Sequence, residues 1–246
     1  EPRGIEGESC AAVRVAYDSD YEFGQMEAFG SEGTAAAEYV QTLVGDVSKE
    51  YEGPIGVKLI GAYLRIWAVD ADPWDEGSLG AQLGQFGAFW YTNMGDIDRN
   101  LAHLFCGRNL GGGMAAIGAV CSDLIGYGVS TGLNGTYPMP LEDGQDGNWD
   151  PIVYAHETGH NFNMIHTHEF ESRGEDNSDE CGNGDCGDAG GATIMSYCHT
   201  CDGGIANINM EFDQLNIDWA TEFLDSLSCD LMTPQTPPSV TNDRAS

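Results

Sequence analysis

Positive charge is scarce in this chain. Two lysines and seven arginines stand against 40 acidic residues among 246, a formal net charge of −31. A polyanion of that strength approaches nucleic acid or an anionic membrane surface against its own field, so neither is expected as a partner. Long apolar runs are lacking too. A stretch such as Met114 to Val120 falls far short of the roughly 20 residues that a bilayer span requires, and no membrane insertion is expected. There is no internal repeat, and the first residues carry no basic-then-apolar signal segment, so any such segment is removed or lies before this sequence.

What remains is enough for a packed core, since 41% of the residues are apolar. Ala11 to Tyr17 alternates and carries valines, which predicts a strand. From Glu32 to Tyr51 the residues Tyr39, Val40, Leu43, Val44 and Val47 recur at helical spacing, with Gly53-Pro54 as the stop. Ile55 to Val69 reads as a long strand or a bent strand pair, and Asp70 to Gly77 as a loop. Leu79, Leu83, Phe86, Phe89, Trp90 and Met94 describe a second helical face. Asn100 to Cys106 and Met114 to Val120 are further strand candidates. This alternation predicts an α/β fold built on a mainly parallel sheet. Loops dominate after Ser130 until a helical pattern begins near Asp150, and a last helix is expected within Glu211 to Leu227.

Four of the six histidines fall between His156 and His168. His156-Glu157-Thr158-Gly159-His160 is an HExxH pattern, and four helical residues advance the azimuth by about 400°, returning both imidazoles to one face about 6 Å apart along the axis. On a continuing helix His166 would climb about 9 Å further, too far to join them. A shared ion therefore requires the chain to turn back, and Asn163 is the residue most tolerant of the left-handed conformation such a turn needs. Three neutral imidazoles leave a fourth position for water, the pattern of catalytic rather than structural zinc. Glu157, about 100° round from His156, can face that water as general base. The competing explanation is an amphipathic helix whose histidines are solvated, with the whole constellation a coincidence.

These residues resemble the metzincin metalloproteases, whose extended motif is HExxHxxGxxH followed by a methionine-containing turn, here Thr193-Ile194-Met195-Ser196-Tyr197. The element order and the wording AHETGHNF are similar to the reprolysin (adamalysin) type over roughly Cys10 to Cys229. The resemblance implies a five-stranded, mostly parallel sheet with an antiparallel edge strand, and a small irregular disulfide-rich subdomain towards the carboxyl end. It implies zinc held by His156, His160 and His166, and Met195 as an apolar floor beneath them. It also implies an edge strand of Met114, Ala115, Ala116, Ile117 and Gly118 that binds extended peptide by strand addition. The family pattern differs here at Asn163, which replaces a glycine, and at Thr167, which stands where reprolysins often carry an aspartate. Tyr197, two places after Met195, matches astacins and serralysins, where a tyrosine can bind zinc and assist catalysis; a buried aromatic lining the specificity pocket is the other reading. On this view residues 1–232 form one catalytic domain, with an upper subdomain of residues 1–166 and a lower subdomain of residues 167–232, and residues 233–246 are a linker or disordered tail.

Eight cysteines suggest an oxidising, extracellular location, with disulfides stapling the segment after His166. The alternative, a zinc ribbon through Cys198 and Cys201, has unusual spacing. Cys10 is either an ordinary disulfide partner or a thiol that silences the zinc, and a propeptide is left open. Calcium is a second candidate cation at Glu175 to Asp188 and Glu142 to Asp150, against solvated acidic loops. His168 and His199 lie near the site in sequence, and His103 is expected to be structural. The expected function is a secreted, monomeric zinc endopeptidase acting on protein or peptide substrates. A catalytically silent binding module on the same fold is the alternative.

Overall fold

The computed structural model describes residues 11–30, 33–178, 181–187 and 189–231. Cys10 and the tail from residue 232 onward lie outside them. Five strands, β1 (Ala11–Ser19), β2 (Val57–Arg65), β3 (Leu101–Phe105), β4 (Gly113–Ala115) and β5 (Tyr127–Ser130), form one sheet in the order β2-β1-β3-β5-β4. All neighbours are parallel except β4, which runs antiparallel to β5 at the edge. The helices are α1 (Tyr21–Gly24), α2 (Gly33–Ile55), α3 (Leu79–Asn93), α4 (Trp149–Asn161) and α5 (Gln214–Ser226). Among the described residues no helix is long and apolar enough to cross a membrane.

The period of two along a strand divides the core into layers. Val13, Val15 and Tyr17 of β1 and Leu101 and Phe105 of β3 join the apolar faces of α2 and α4. Ala16, Ala102, Leu104 and Val129 meet Trp74 and the α3 residues Phe86 and Trp90 on the opposite side. Helix α4 is buried on every side from Asp150 to Asn161. Such a helix needs internal partners for its polar groups. The Tyr39 hydroxyl donates to Asp150 at 2.6 Å, that of Tyr51 to the Ala155 carbonyl at 2.6 Å, and those of Tyr17 and Tyr154 share a bond of 2.7 Å. Side chains of β1 and α2 thus hold in place the helix that carries the HExxH pattern.

Several boundaries differ from the sequence expectation. Helix α2 runs past Gly53-Pro54 to Ile55, because Gly53 accommodates the backbone restriction before proline. The stop is Gly56, at φ +66°. Strand β2 ends at Arg65 rather than Val69 because β1, its only partner among the described residues, runs out, the last pair being Asp18 with Arg65. Strand β5 was not expected: four residues including a glycine show no usable alternation, and all four are buried. The edge strand is three residues long. Met114 and Ala115 lie in β4, whereas Ala116, Ile117 and Gly118 do not. Gly118, at φ +62°, donates its N–H to the His160 carbonyl at 2.9 Å, and Ala119 donates to Asn161 at 2.9 Å. The exposed carbonyls at the end of α4 take the donors that a longer strand would have used.

Among the described residues six cysteines pair, as Cys121–Cys229, Cys181–Cys198 and Cys186–Cys201. The first ties the chain after α5 to the turn beyond β4; the others staple the irregular stretch after His166. Cys198 and Cys201 belong to separate disulfides, so the zinc-ribbon alternative fails. Cys106 is a buried free thiol.

Candidate active site

Helix α4 ends at Asn161, and Asn163 turns the chain at φ +71°. His166 is thereby brought back to the two helical imidazoles. Ring centroids are 4.9 Å apart for His156 and His160, 5.2 Å for His156 and His166, and 4.8 Å for His160 and His166. One nitrogen from each lies within 4.8 Å of the others, a spacing that can hold one metal ion.

The outer nitrogens are occupied. Nδ1 of His156 donates to the Ile194 carbonyl at 2.8 Å, that of His160 to the Met164 carbonyl at 3.0 Å, and that of His166 to the Glu169 carboxylate at 2.8 Å. These acceptors take a proton only from Nδ1–H, which makes Nε2 the nitrogen of each ring that can ligate a cation. Burial pushes His156 well below the usual imidazole range, helped by the other two histidines, and lowers His160 to about 4. Both remain neutral, as metal ligation requires.

Glu169 was missed in the sequence. Thr167, in the place of the expected aspartate, is buried and donates its backbone N–H to the Met195 carbonyl at 3.2 Å. A 3₁₀ turn from Thr167 to Arg173 follows His166 directly. In that geometry residues three apart eclipse, and Glu169 falls beside His166. An acid three places after the third histidine was the available signal.

Glu157 is 4% exposed at the edge of the pocket beside His156, and burial raises its carboxyl well above the usual range. Its Oε2 is buried without a hydrogen-bond partner. An uncompensated buried carboxylate oxygen is costly, and a cation with its water is the complement that removes the cost. Three converging imidazoles, with a buried carboxylate beside them to meet a metal-bound water, therefore fit zinc. Gly113 of β4 passes directly over this side chain; a β-carbon there would sit 2.4 Å from Glu157 Cγ.

Met195 is fully buried under α4, with its sulfur 2.7 Å from where a Gly159 β-carbon would be. Tyr197 is half-buried, its ring 4.4 Å from that of His166 and 6.2 Å from that of His156. Burial raises its phenol, with Glu157 and Glu169 adding to the shift. Next to the histidines opens a pocket of 280 Å³ lined by Gly113, Trp149, Ile152, Val153, Ile194, Tyr197 and His199 among others. A larger cavity of 640 Å³ lies between α2 and β2 and holds none of the histidines. His103 is a buried structural residue in β3, bonded to Ser130 Oγ at 2.8 Å. Among the described residues the two groups of histidine and acid at metal-binding distances both involve His166, and neither lies in the proposed calcium loops. Calcium therefore has no support, although residues 179, 180 and 188 of one loop lie outside the described residues.

The family model Reprolysin_5, metallo-peptidase family M12, matches residues 8–210. The chain belongs to that family. It is a reprolysin-like metzincin domain, and its mostly parallel sheet with an antiparallel edge and its disulfides after His166 agree with that membership. No curated protein matches the chain. Among solved structures, one described as "Structure of a chaperone-substrate complex" is similar with a TM-score of 0.52 at 12% identity, over 87% of this chain and 34% of that one. That is a likeness of fold, and this M12 metallopeptidase chain spans about a third of that relative's length.

Proposed function

We propose that this metallopeptidase is a secreted zinc-dependent endopeptidase that cuts extended polypeptides. His156, His160 and His166 hold the ion, and Glu157 is the general base. The observation that carries the reading is the convergence of three imidazole nitrogens within 4.8 Å of one another, with every outer nitrogen hydrogen-bonded away from the centre. Zinc bound there supplies Lewis acidity towards a peptide carbonyl and lowers the pKa of water. Glu157 receives the proton of the attacking water and returns it to the leaving amine. Its burial beneath Gly113 holds the carboxylate in one place for both transfers.

Strand β4 pairs with β5 on one side only, which leaves its outer edge to an extended peptide laid antiparallel to it. The side chain after the cut then enters the pocket between Trp149, Ile152, Val153 and Ile194, whose walls favour apolar groups. Tyr197, beside His166, is a candidate for stabilising the developing negative charge. Residues 1–232 act as one catalytic unit in this reading. Extracellular location is supported by the disulfides, which persist where thiols are oxidised.

The test is hydrolysis of an unstructured protein such as casein. Cleavage should stop with a chelator and resume with zinc, and Glu157→Gln should retain bound zinc while losing about 10³-fold or more in kcat. A Glu157→Gln protein that cuts at the wild-type rate removes the general-base assignment. A wild-type protein that binds no zinc removes the whole reading.

A further inference from the structure

His168 has no role in the proposed hydrolysis, yet it is closely held beside the site. Its ring stacks on His166 with centroids 5.2 Å apart and planes 4° from parallel, and lies 4.8 Å from the ring of Tyr197. On another side Gly182 leaves it room, since a β-carbon there would fall 2.2 Å from the ring. Nδ1 of His168 is buried with no hydrogen-bond partner, a costly condition that a ligand would relieve. With His166 and Glu169 it forms a second group whose ligand atoms lie within 4.8 Å of one another. Unlike the first triad, this group includes a solvent-accessible carboxylate, with the Glu169 side chain 50% exposed.

We propose that His168 and Glu169, beside His166, bind a second and weaker divalent transition-metal ion, with zinc as occupant, and that this ion slows the peptidase. The inference rests on the metal-centre reading above and adds its regulation. Imidazole with carboxylate suits zinc, and a ring already clamped by its neighbours loses little freedom on binding. The net charge of −31 concentrates cations at the surface. The slowing follows from Glu169, whose Oε2 accepts the His166 Nδ1–H bond at 2.8 Å. A carboxylate drawn to a second cation no longer orients that ring. Loss of such an outer partner lowers metal affinity or activity by roughly 10- to 100-fold.

The full chain, loaded with one equivalent of zinc, is dialysed against rising free zinc while bound metal is measured by atomic emission and peptide hydrolysis is followed in parallel. A second equivalent should enter the wild-type protein, with hydrolysis falling about tenfold as it does. His168→Phe keeps the stack and removes the ligand. Glu169→Gln keeps an acceptor for His166 but is a poor ligand. Each should stop at one equivalent and keep its own rate where the wild type is slowed. If His168→Phe loses the first equivalent, Glu169→Gln decides. A wild-type protein that stops at one equivalent, or a second ion that persists in Glu169→Gln, overturns the second site and leaves the first intact. Failure to bind any zinc takes down both.

Discussion

Asn163 stands where the family motif has glycine, and at φ +71° it bears some of the strain that glycine avoids. Its Oδ1 accepts from the Arg173 guanidinium at 3.2 Å, which offsets some of that cost. Asn163→Ala keeps the strain and loses the bond, so it should destabilise by about 1–2 kcal/mol and weaken zinc binding through His166. Asn163→Gly should retain both stability and affinity within a few-fold. Chelator competition and thermal unfolding measure the pair, and an alanine variant with wild-type affinity would show that the turn is held by other contacts. Tyr197 gives a second test at this scale. If its hydroxyl stabilises the transition state, Tyr197→Phe should lower kcat by roughly 10²-fold with KM little changed. An unchanged kcat leaves Tyr197 as pocket wall only. His156, Glu157, His160, His166 and the turn at Asn163 were all legible along the chain, because helical periodicity and left-handed tolerance are local properties. The outer partners were not. Ile194 is 38 residues from His156, and no spacing rule connects them.

Among the elements, α4 and β4 do the positioning. Glycine is required at position 113 because the strand crosses the Glu157 side chain at a distance no β-carbon tolerates. Gly113→Ala should therefore displace the carboxylate, lowering kcat by about 10²-fold while zinc content and secondary structure stay at wild-type levels. Activity within twofold of wild type would mean that Glu157 can move aside without loss. Strand β1 and helices α2 and α3 were readable from periodicity, since each is long enough to show a face. Strand β4 was expected as Met114 to Val120 but holds only Met114 and Ala115 of that run, and β5, at four residues, was not expected. Their identity lies in pairing with each other and with β3, and the extension expected beyond Ala115 was diverted to cap α4.

Across the whole molecule, stability at acid pH should depend on His103. Burial lowers its pKa to about 3, against about 6.5 in an unfolded chain. Between those values the unfolded state binds a proton that the folded state does not, so folding stability falls as pH drops through that window. For the zinc-free protein, urea unfolding at pH 7 and pH 5 should show a loss to which His156 and His160 also contribute, and which is smaller by about 1–2 kcal/mol in His103→Gln. An equal loss in both proteins would assign the acid sensitivity to other groups.

Composition and spacing alone determined that this acidic chain would be an α/β metal-binding domain, with two histidines on one helical turn and a third beyond a reversal. Those features depend on residues within a few positions of one another. Only tertiary structure decided which cysteines pair, that Glu169 supports His166, that Gly113 covers Glu157, and where the edge strand stops. Each of these depends on a backbone or side-chain group whose neighbour in space is set by packing of the whole sheet and its helices, and a hydrogen bond or a steric contact leaves no mark on the chain until that packing exists.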